Sequence, residues 1–321
     1  MCVYDVGMDA LAGLLEGPRA RGAWLLRMIL DPPWAVRIED RAPLTLVTMM
    51  RGESWATLPG REPVRLRVGD VALFRGPDPY VVGDDPATAP VGVVRTDGLL
   101  YDFDGRQLCD DMALGVRTWG TSPDGASAMH IGTYQMRGEI SRRLLDALPP
   151  LAVVSGEESD RPLVRLLGEE IVRDEPGQAV FLDRLLDLTL IDTLRAWFAL
   201  PQADAPAWYR ANSDPIVGAA LRLLHNDPAH QWTVATLAAA VGVSRAALAR
   251  RFTDLVGEPP MAYLTGWRLA LAADMLTEPD ATVGSVARKV GYGTPFALST
   301  AFKRVRGVSP REHRDALSTV D

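Results

Sequence analysis

Two stretches near the C-terminus repeat one order of apolar, small and basic residues. WTVATLAAAVGVSRAALARRF begins at residue 232 and ATVGSVARKVGYGTPFALSTAF begins at residue 281. They align at an offset of 49 residues before a glycine-containing turn and of 50 after it. Arginine can hold guanine O6 and N7 bidentately, and small side chains let a helix approach the bases closely. The repeat therefore predicts contact with the major groove of DNA.

Each copy has the pattern of a helix-turn-helix unit. Gly242 and Gly291 end a short apolar helix, where a left-handed glycine can reverse the chain. Ser244 and Thr294 follow, and their hydroxyl groups are suited to cap the next helix. The sequence predicts two such units, at about 232–253 and 281–304.

The second helix of each unit is the predicted DNA-contacting element. Leu248 and Phe252, like Leu298 and Phe302 in the second copy, have the i,i+4 spacing of a buried face. The opposite face is small and basic. With its neighbouring residues it forms the predicted DNA-binding set, which comprises Arg245, Ala246, Ala249, Arg250, Arg251, Thr294, Pro295, Phe296, Ser299, Thr300, Lys303 and Arg304.

A single helix is predicted between the two units, over residues 259–278. About seventeen helical residues span roughly 25 Å at 1.5 Å per residue. Such a stiff connector would hold the two DNA-contacting helices near the ~34 Å repeat of B-DNA, in successive major grooves.

Charge is distributed unevenly along the chain of 321 residues, which has a net charge of −7. Residues 214–321 carry 12 Lys and Arg against 10 Asp and Glu, whereas residues 1–213 carry 22 against 31. A phosphate backbone responds to the local field, which decays within about 8 Å at physiological salt. The acidic first part therefore does not exclude a DNA partner.

The first part of the chain has the short alternating runs and frequent turns of an antiparallel sheet. We predict a β core at about 22–136, with a long loop at 99–128, followed by helices at about 140–200. The run 179–200 is apolar on two faces, so one face is free to pair with a second subunit through helices 163–200; burial inside its own chain explains the pattern equally well. Residues 201–213, rich in Pro and Ala, are the predicted linker between domains 1–200 and 214–315.

The last hundred residues resemble the AraC/XylS transcriptional regulators. The stretches that carry the resemblance are DPIVGAALRLLHNDPAHQWTVATLAAAVGVSRAALARRF, GEPPMAYLTGWRLALAADML, VARKVGYGTPFALSTAFKR and GVSPREHR. The resemblance implies base reading by Ala246, Ala249 and Arg250 in the first unit and by Pro295, Phe296, Ser299 and Thr300 in the second. Because Thr300 stands where arginine or glutamine is common, we expect Arg250 to dominate.

The first half resembles the cupin-like domain that precedes this module in one branch of the family, through LTLVTMMRGESWATLPGREPVRLRVGDVALFRGPDPYVV and HIGTYQM. The fold implied is a cupin-like all-β barrel with appended helices, followed by an all-α double helix-turn-helix domain. The function implied is a sequence-specific regulator in the cytoplasm, an activator or a repressor of its promoters. Its first domain would sense a small-molecule effector or dimerise, and its partners would be promoter DNA and RNA polymerase.

The histidines and cysteines of the chain offer little for other chemistry. None of the four histidines lies in the β segment 24–94, so we expect neither a metal site nor another cofactor, and no enzyme. A metal-independent cupin enzyme, or an adaptor with a degenerate DNA module, is the alternative. A ligand pocket lined by Trp34, Met49, Trp55 and Phe74 is equally explained by core packing, and a redox role for Cys109 competes with that of an inert thiol. The N-terminus lacks the basic residues and apolar core of a signal peptide, and no apolar run is long enough to span a bilayer.

Overall fold

The change from strands to helices divides the chain into two units. The computed structural model describes residues 24–134, 138–156, 161–201, 203 and 205–318. The sheet unit comprises the described residues of 18–136 and 148–203, and the helical unit comprises those of 137–147 and 204–321. Among the described residues, no helix combines the length and apolar character of a membrane span.

Thirteen strands of the described residues form two sheets in the sheet unit. They are β1 (Trp24–Leu30), β2 (Ala35–Ile38), β3 (Leu44–Arg51), β4 (Glu53–Thr57), β5 (Val64–Arg67), β6 (Val71–Arg75), β7 (Tyr80–Gly83), β8 (Val93–Val94), β9 (Leu100–Tyr101), β10 (Ala113–Gly115), β11 (Thr118–Gly120), β12 (Ser127–Tyr134) and β13 (Leu151–Val154).

The first sheet has the order β10-β11-β1-β12-β3-β6-β13, and the second has the order β5-β4-β7-β2-β8-β9. β12 lies antiparallel between β1 and β3, so the HIGTY segment is a central strand of the larger sheet. Apolar side chains from both sheets, including Met49, Phe74 and Trp119, form one core. A sheet pair around a shared core agrees with the predicted all-β first domain.

Two predictions for the sheet unit require correction. The predicted loop at 99–128 contains β9, β10 and β11 as well as the start of β12. The region assigned to helices contains β13, which extends the larger sheet by pairing with β6 from Leu151↔Phe74 to Val154↔Val71. Only four residues long, β13 shows no helical or strand period of its own, and its pairing partner lies about 80 residues earlier in the chain.

The helices of the sheet unit follow the predicted runs more closely. Helix α1 (Glu139–Leu145) belongs to the helical unit, and α2 (Pro162–Glu170) and α3 (Gln178–Ala199) belong to the sheet unit. The Tyr134 hydroxyl donates to the carbonyl oxygen of Leu186 at 2.8 Å, and Leu186 and Leu190 are fully buried. Phe181 and Leu188, on the other face of α3, are 48% and 50% exposed. The face of α3 that carries Phe181 and Leu188 is therefore only partly covered within the described chain, with Leu185 between them 3% exposed.

The helical unit contains eight further helices in the described residues. They are α4 (Ala207–Ala211), α5 (Pro215–Asn226), α6 (Val234–Ala240), α7 (Arg245–Val256), α8 (Pro260–Met275), α9 (Val283–Lys289), α10 (Pro295–Arg306) and α11 (Pro310–Ser318). The predicted linker 201–213 therefore includes a short helix, α4.

Helix α1 packs within the helical unit, although the sequence prediction placed it with the first domain. Both carboxylate oxygens of Asp274, on α8, accept backbone N–H groups at its start, from Glu139 at 2.6 Å and Ile140 at 3.1 Å. Ile140 is buried against Trp267, and Glu139 pairs with Arg306 at 2.8 Å. Asp274 thus caps a helix that lies more than 130 residues away in the sequence.

Candidate DNA-binding surface

The two helix-turn-helix units are built by the same local interactions. The helices that begin them, α6 and α9, carry a reciprocal capping box, Thr233 with Thr236 and Thr282 with Ser285. Each of these hydroxyl pairs satisfies backbone N–H groups that a helix start leaves without a partner. Both short helices are therefore fixed at their first turn by residues of the repeat itself.

The turn between the helices has the predicted geometry in both copies. Gly242 and Gly291 have φ angles of +74° and +83°, which a side chain disfavours. The hydroxyl oxygens of Ser244 and Thr294 then accept the N–H groups of Ala247 and Ala297, at 3.2 Å and 3.1 Å. These caps determine where the predicted DNA-contacting helices, α7 and α10, begin.

The inward faces of α7 and α10 are fully buried. Leu248 and Phe252 enter one apolar cluster, and Leu298 and Phe302 enter a second, all four with 0% exposure. The outward face of each helix is thereby held in one orientation by its own core.

On α7, the predicted contact residues Arg245, Ala246 and Arg250 are exposed, and Ala249 is half-buried beside them. Arg250 forms no ion pair with another described residue, so its guanidinium is available to an external acceptor. The small alanine side chains leave room for the base edges next to it.

Arg251 has a different environment from its neighbour. Its guanidinium binds both carboxylate oxygens of Asp214, with the shortest contact at 2.6 Å, and Asp214 in turn caps the start of α5. The hydrogen bonds from Arg251 lower the pKa of Asp214 below its ordinary value. This pairing joins α7 to α5, and the DNA contact expected of Arg251 from the sequence stays a prediction.

On α10, the predicted residues form a less basic surface. Phe296 is 80% exposed, and Pro295, Thr300, Lys303 and Arg304 are also exposed. Thr294 is engaged as the helix cap, and the half-buried Ser299 donates its hydroxyl to the carbonyl oxygen of Pro295 at 2.9 Å. The exposed ring of Phe296 is suited to apolar contact with a thymine methyl group, and Lys303 and Arg304 are suited to phosphate.

The connector between the units, α8, is sixteen residues long and therefore about 24 Å in length. Tyr263 and Trp267 are buried along it; Trp267 stacks on His225 at 4.2 Å, and the Tyr263 hydroxyl lies 2.7 Å from His225 Nε2. Arg268 donates to the carbonyl oxygens of Pro228 and His230 at 2.6 Å and 2.7 Å. These contacts fix the connector to the segment that precedes the first unit.

These long-range partners were not predicted from the sequence. Asp214, Arg268 and Asp274 each bind groups about 35 or more residues away in the sequence. The N-cap pattern of Asp214 before Pro215 was a detectable local signal, whereas nothing local marks the other two.

The sheet unit contains a cavity of about 350 Å³ between its two sheets. Its walls are mostly apolar, with Met28, Val47, Met129 and Trp119 among them. The four pocket residues expected from the sequence do not line it: Trp34, Met49 and Phe74 lie in the core, and Trp55 is half-buried on β4 under Arg65.

Cys109 lines this cavity and is half-buried. Its Sγ accepts the N–H of Leu100 at 3.3 Å. Cys2 lies outside the described residues, so a redox role for Cys109 stays a prediction. The described part of the chain contains no cluster of His, Cys, Asp and Glu placed to share a metal ion.

Comparison with known proteins gives consistent likenesses over both units. A cupin family model matches residues 9–199, and a helix-turn-helix domain model matches residues 237–316. An AraC-like transcription regulator of Streptomyces lividans is 33% identical over 96% of this chain and 98% of its own. The regulator AlkR of Acinetobacter baylyi is 29% identical over 96% and 99%. Among solved structures, the DNA-binding domain of AdpA in complex with a target DNA is 34% identical over 33% of this chain and 96% of its own, with a TM-score of 0.31.

Proposed function

This chain belongs to the AraC-like transcription regulators, which bind DNA and are not enzymes, and we propose that it reads its promoters through the outward faces of α7 and α10. Arg250 supplies the main base contact in this proposal. The observation that carries it is the contrast between Arg250, exposed and without an ion pair among the described residues, and Arg251, held by Asp214. Promoters lie on the chromosome, so we place the protein in the cytoplasm.

The two units contribute unequally in this proposal. Arg250 and the two alanines beside it provide hydrogen bonding and close approach in the first unit. In the second, Phe296 and Thr300 provide an apolar contact and one hydroxyl, while Lys303 and Arg304 bind phosphate. Phosphate contacts position a protein on DNA without reading sequence, so the second unit would add affinity more than specificity.

Binding to the chain's own upstream region tests this function. We expect the full-length protein to bind that duplex more tightly than a shuffled duplex of equal length and composition, measured by fluorescence anisotropy. The affinity for both duplexes should fall as salt rises, because phosphate contacts release counterions. The same comparison can be made for candidate promoters across the genome. If every promoter duplex bound no more tightly than its shuffled counterpart, sequence-specific recognition would be contradicted.

We propose that the regulator activates transcription by contacting RNA polymerase once bound. In vitro transcription from a bound promoter, with and without the protein, decides the sign of its effect. A lower amount of transcript in the presence of the protein would show that it is a repressor.

Dimer formation is proposed to use the partly covered face of α3. Phe181 and Leu188 lie seven residues apart, on one face, and both are about half exposed. An apolar patch of this kind on a helix is typical of a protein–protein contact. It lies within the predicted dimer segment 163–200.

Leu188→Glu is expected to convert a dimer to a monomer, because each glutamate would place a charge in an apolar contact. Analytical ultracentrifugation of the full-length protein measures the change. Val68→Glu, which alters an exposed apolar residue at the turn between β5 and β6, is the matched control and should leave the mass unchanged. A dimer that survives Leu188→Glu would show that α3 is not the interface.

The sheet unit is proposed to sense an effector. The cavity between the sheets is of a size that suits a small molecule and is walled mainly by apolar side chains, as ligand sites commonly are.

A further inference from the structure

Besides the Cys109 thiol and the Trp119 indole, the polar side chains that line the sheet-unit cavity carry carboxylates and hydroxyls. They belong to Asp40, Thr45, Tyr80, Thr96, Asp97 and Thr133. No lysine, arginine or histidine is among the described residues that line the cavity. The remaining lining is almost entirely apolar, so its electrostatic character comes from the two carboxylates.

Asp40 is the less exposed of these two carboxylates. It is half-buried, and one of its oxygens accepts the N–H of Ala42 at 3.0 Å. Among the described residues it forms no ion pair. Burial raises the pKa of Asp40, which reflects the free energy lost when a charge without a partner is moved out of water. A positive charge brought next to Asp40 would recover that free energy.

The aromatic residue beside Asp40 is Tyr80. Its ring stacks on Phe74 at 4.2 Å, and Thr45 hydrogen-bonds to its hydroxyl. Burial, and then the charge of Asp40, raise the pKa of Tyr80, so the hydroxyl stays protonated at neutral pH. A carboxylate next to an aromatic ring can bind an organic cation by charge and through the π face, and here Phe74 leaves only the opposite face of Tyr80 for that contact.

Two further polar groups belong to residues that line the cavity. Asp97 lies on the exposed rim, and the hydrogen bonds from the Leu99 N–H and the Tyr101 hydroxyl lower its pKa and keep it charged. Trp119, 9% exposed in the cavity wall, has an indole N–H with no acceptor among the described residues. Arg95 also lies close to Asp97, and the Trp119 nitrogen is buried below the cavity surface. Recognition of a ligand's charge in this cavity would therefore depend on Asp40.

We propose that the cavity binds an amphipathic organic cation, an apolar body with one ammonium group held at Asp40. The role of such a molecule as the regulator's effector rests on the function proposed above, whereas its binding to the cavity does not. The same carboxylates disfavour an apolar acid, because like charges repel more strongly in an apolar cavity than in water.

Three probes of equal chain length test the class of ligand, namely decyltrimethylammonium, decanol and decanoate. Isothermal titration of the full-length protein uses the two ionic probes below their micellar concentrations and decanol below its solubility limit. We expect the cation to bind at least about tenfold more tightly than the alcohol, with the acid weakest. Equal affinity for the three probes, tighter binding of decanoate, or no binding of the cation would overturn the proposal.

Asp40→Asn then identifies the residue that holds the charge. It is expected to lower the affinity for decyltrimethylammonium by about tenfold or more and to leave that for decanol unchanged, since the amide keeps the shape and loses the charge. Retained decanol binding also shows that the variant is folded. Asp124→Asn, at an exposed loop carboxylate outside the cavity, is the matched control. An Asp40→Asn protein that binds the cation as tightly as the wild type would refute the assignment.

Alkylation of Cys109, which lines the cavity, tests whether the probe binds there. The chain has two cysteines, so Cys2→Ser leaves Cys109 as the single thiol. Decyltrimethylammonium at saturation should slow its alkylation by iodoacetamide, and the same concentration of decanoate should not. An unchanged rate would show that the cation binds outside the cavity.

Promoter binding by the same preparations separates the two proposals. If the protein binds its promoter and does not bind the cation, only this inference is lost. If it binds the cation and does not bind the promoter, only the proposed function is lost.

Discussion

Replacing Arg250 by alanine is expected to weaken binding to the specific promoter site by about 1–3 kcal/mol, which is about five- to 150-fold in affinity. The reason is geometric. Arg250 lies on the outward face of α7, whose opposite face is fixed by fully buried Leu248 and Phe252. Truncation removes the guanidinium without disturbing that core. Anisotropy titrations of the specific and shuffled duplexes, at one fixed salt concentration, measure the effect.

Arg251→Ala is the matched control, because it removes the same group from the next residue. Its guanidinium is already bound to Asp214, so its loss should leave the ratio of specific to shuffled binding unchanged and should reduce stability instead. Equal losses of specificity in the two variants would show that exposure does not identify the base-reading arginine. An unchanged affinity of the Arg250→Ala protein would remove that residue from the interface.

The helix-turn-helix units could be predicted from sequence because their determinants are local. Ser244 and Thr294 cap helices that begin at the next residue, and Gly242 and Gly291 adopt the positive φ that their position between two helices requires. Each of these signals is complete within a few residues, and the repeat supplies it twice. Helix α3 was predicted to within one residue at each end for the same reason, since a 22-residue run with apolar spacing is an unambiguous signal.

Features that depend on distant pairing could not be predicted. Asp274 caps α1 across more than 130 residues, and β13 has its partner in β6. The cavity lining draws on several strands of both sheets, and which aromatic residues face it depends on strand register. A shift of one residue moves every side chain of a strand to the other face. Residue type alone therefore could not decide whether Met49 of β3 and Phe74 of β6 face the cavity or the core.

His130 is another residue whose environment follows from register alone. It lies in β12 directly opposite Arg27 of β1 and Thr48 of β3, and its side chain is 2% exposed. Gly168 of α2 lies over its ring; a Cβ added there would be 3.0 Å from His130 Cε1. Burial, and then the positive charge of Arg27, lower the pKa of His130 from 6.5 to about 4.

Acidification is therefore expected to destabilise the protein through His130. The folded state keeps this ring neutral down to about pH 4, whereas the unfolded chain takes up a proton near pH 6.5. Stability contributed by the neutral ring is complete above pH 6.5 and falls as the pH decreases towards 4. At pH 5 the loss amounts to about 2 kcal/mol of unfolding free energy.

Urea unfolding at pH 7.5 and pH 5.0, followed by circular dichroism, measures this contribution when the wild type is compared with His130→Gln. The variant lacks the titrating group, so its unfolding free energy should fall by about 2 kcal/mol less between the two pH values. His230→Gln, at an exposed position, should behave as the wild type does. The comparison of pH dependence, rather than of stability at one pH, separates titration of the ring from any packing defect that glutamine introduces. Parallel pH dependence in the wild type and His130→Gln would mean that the buried ring is not what makes the sheet unit sensitive to acid.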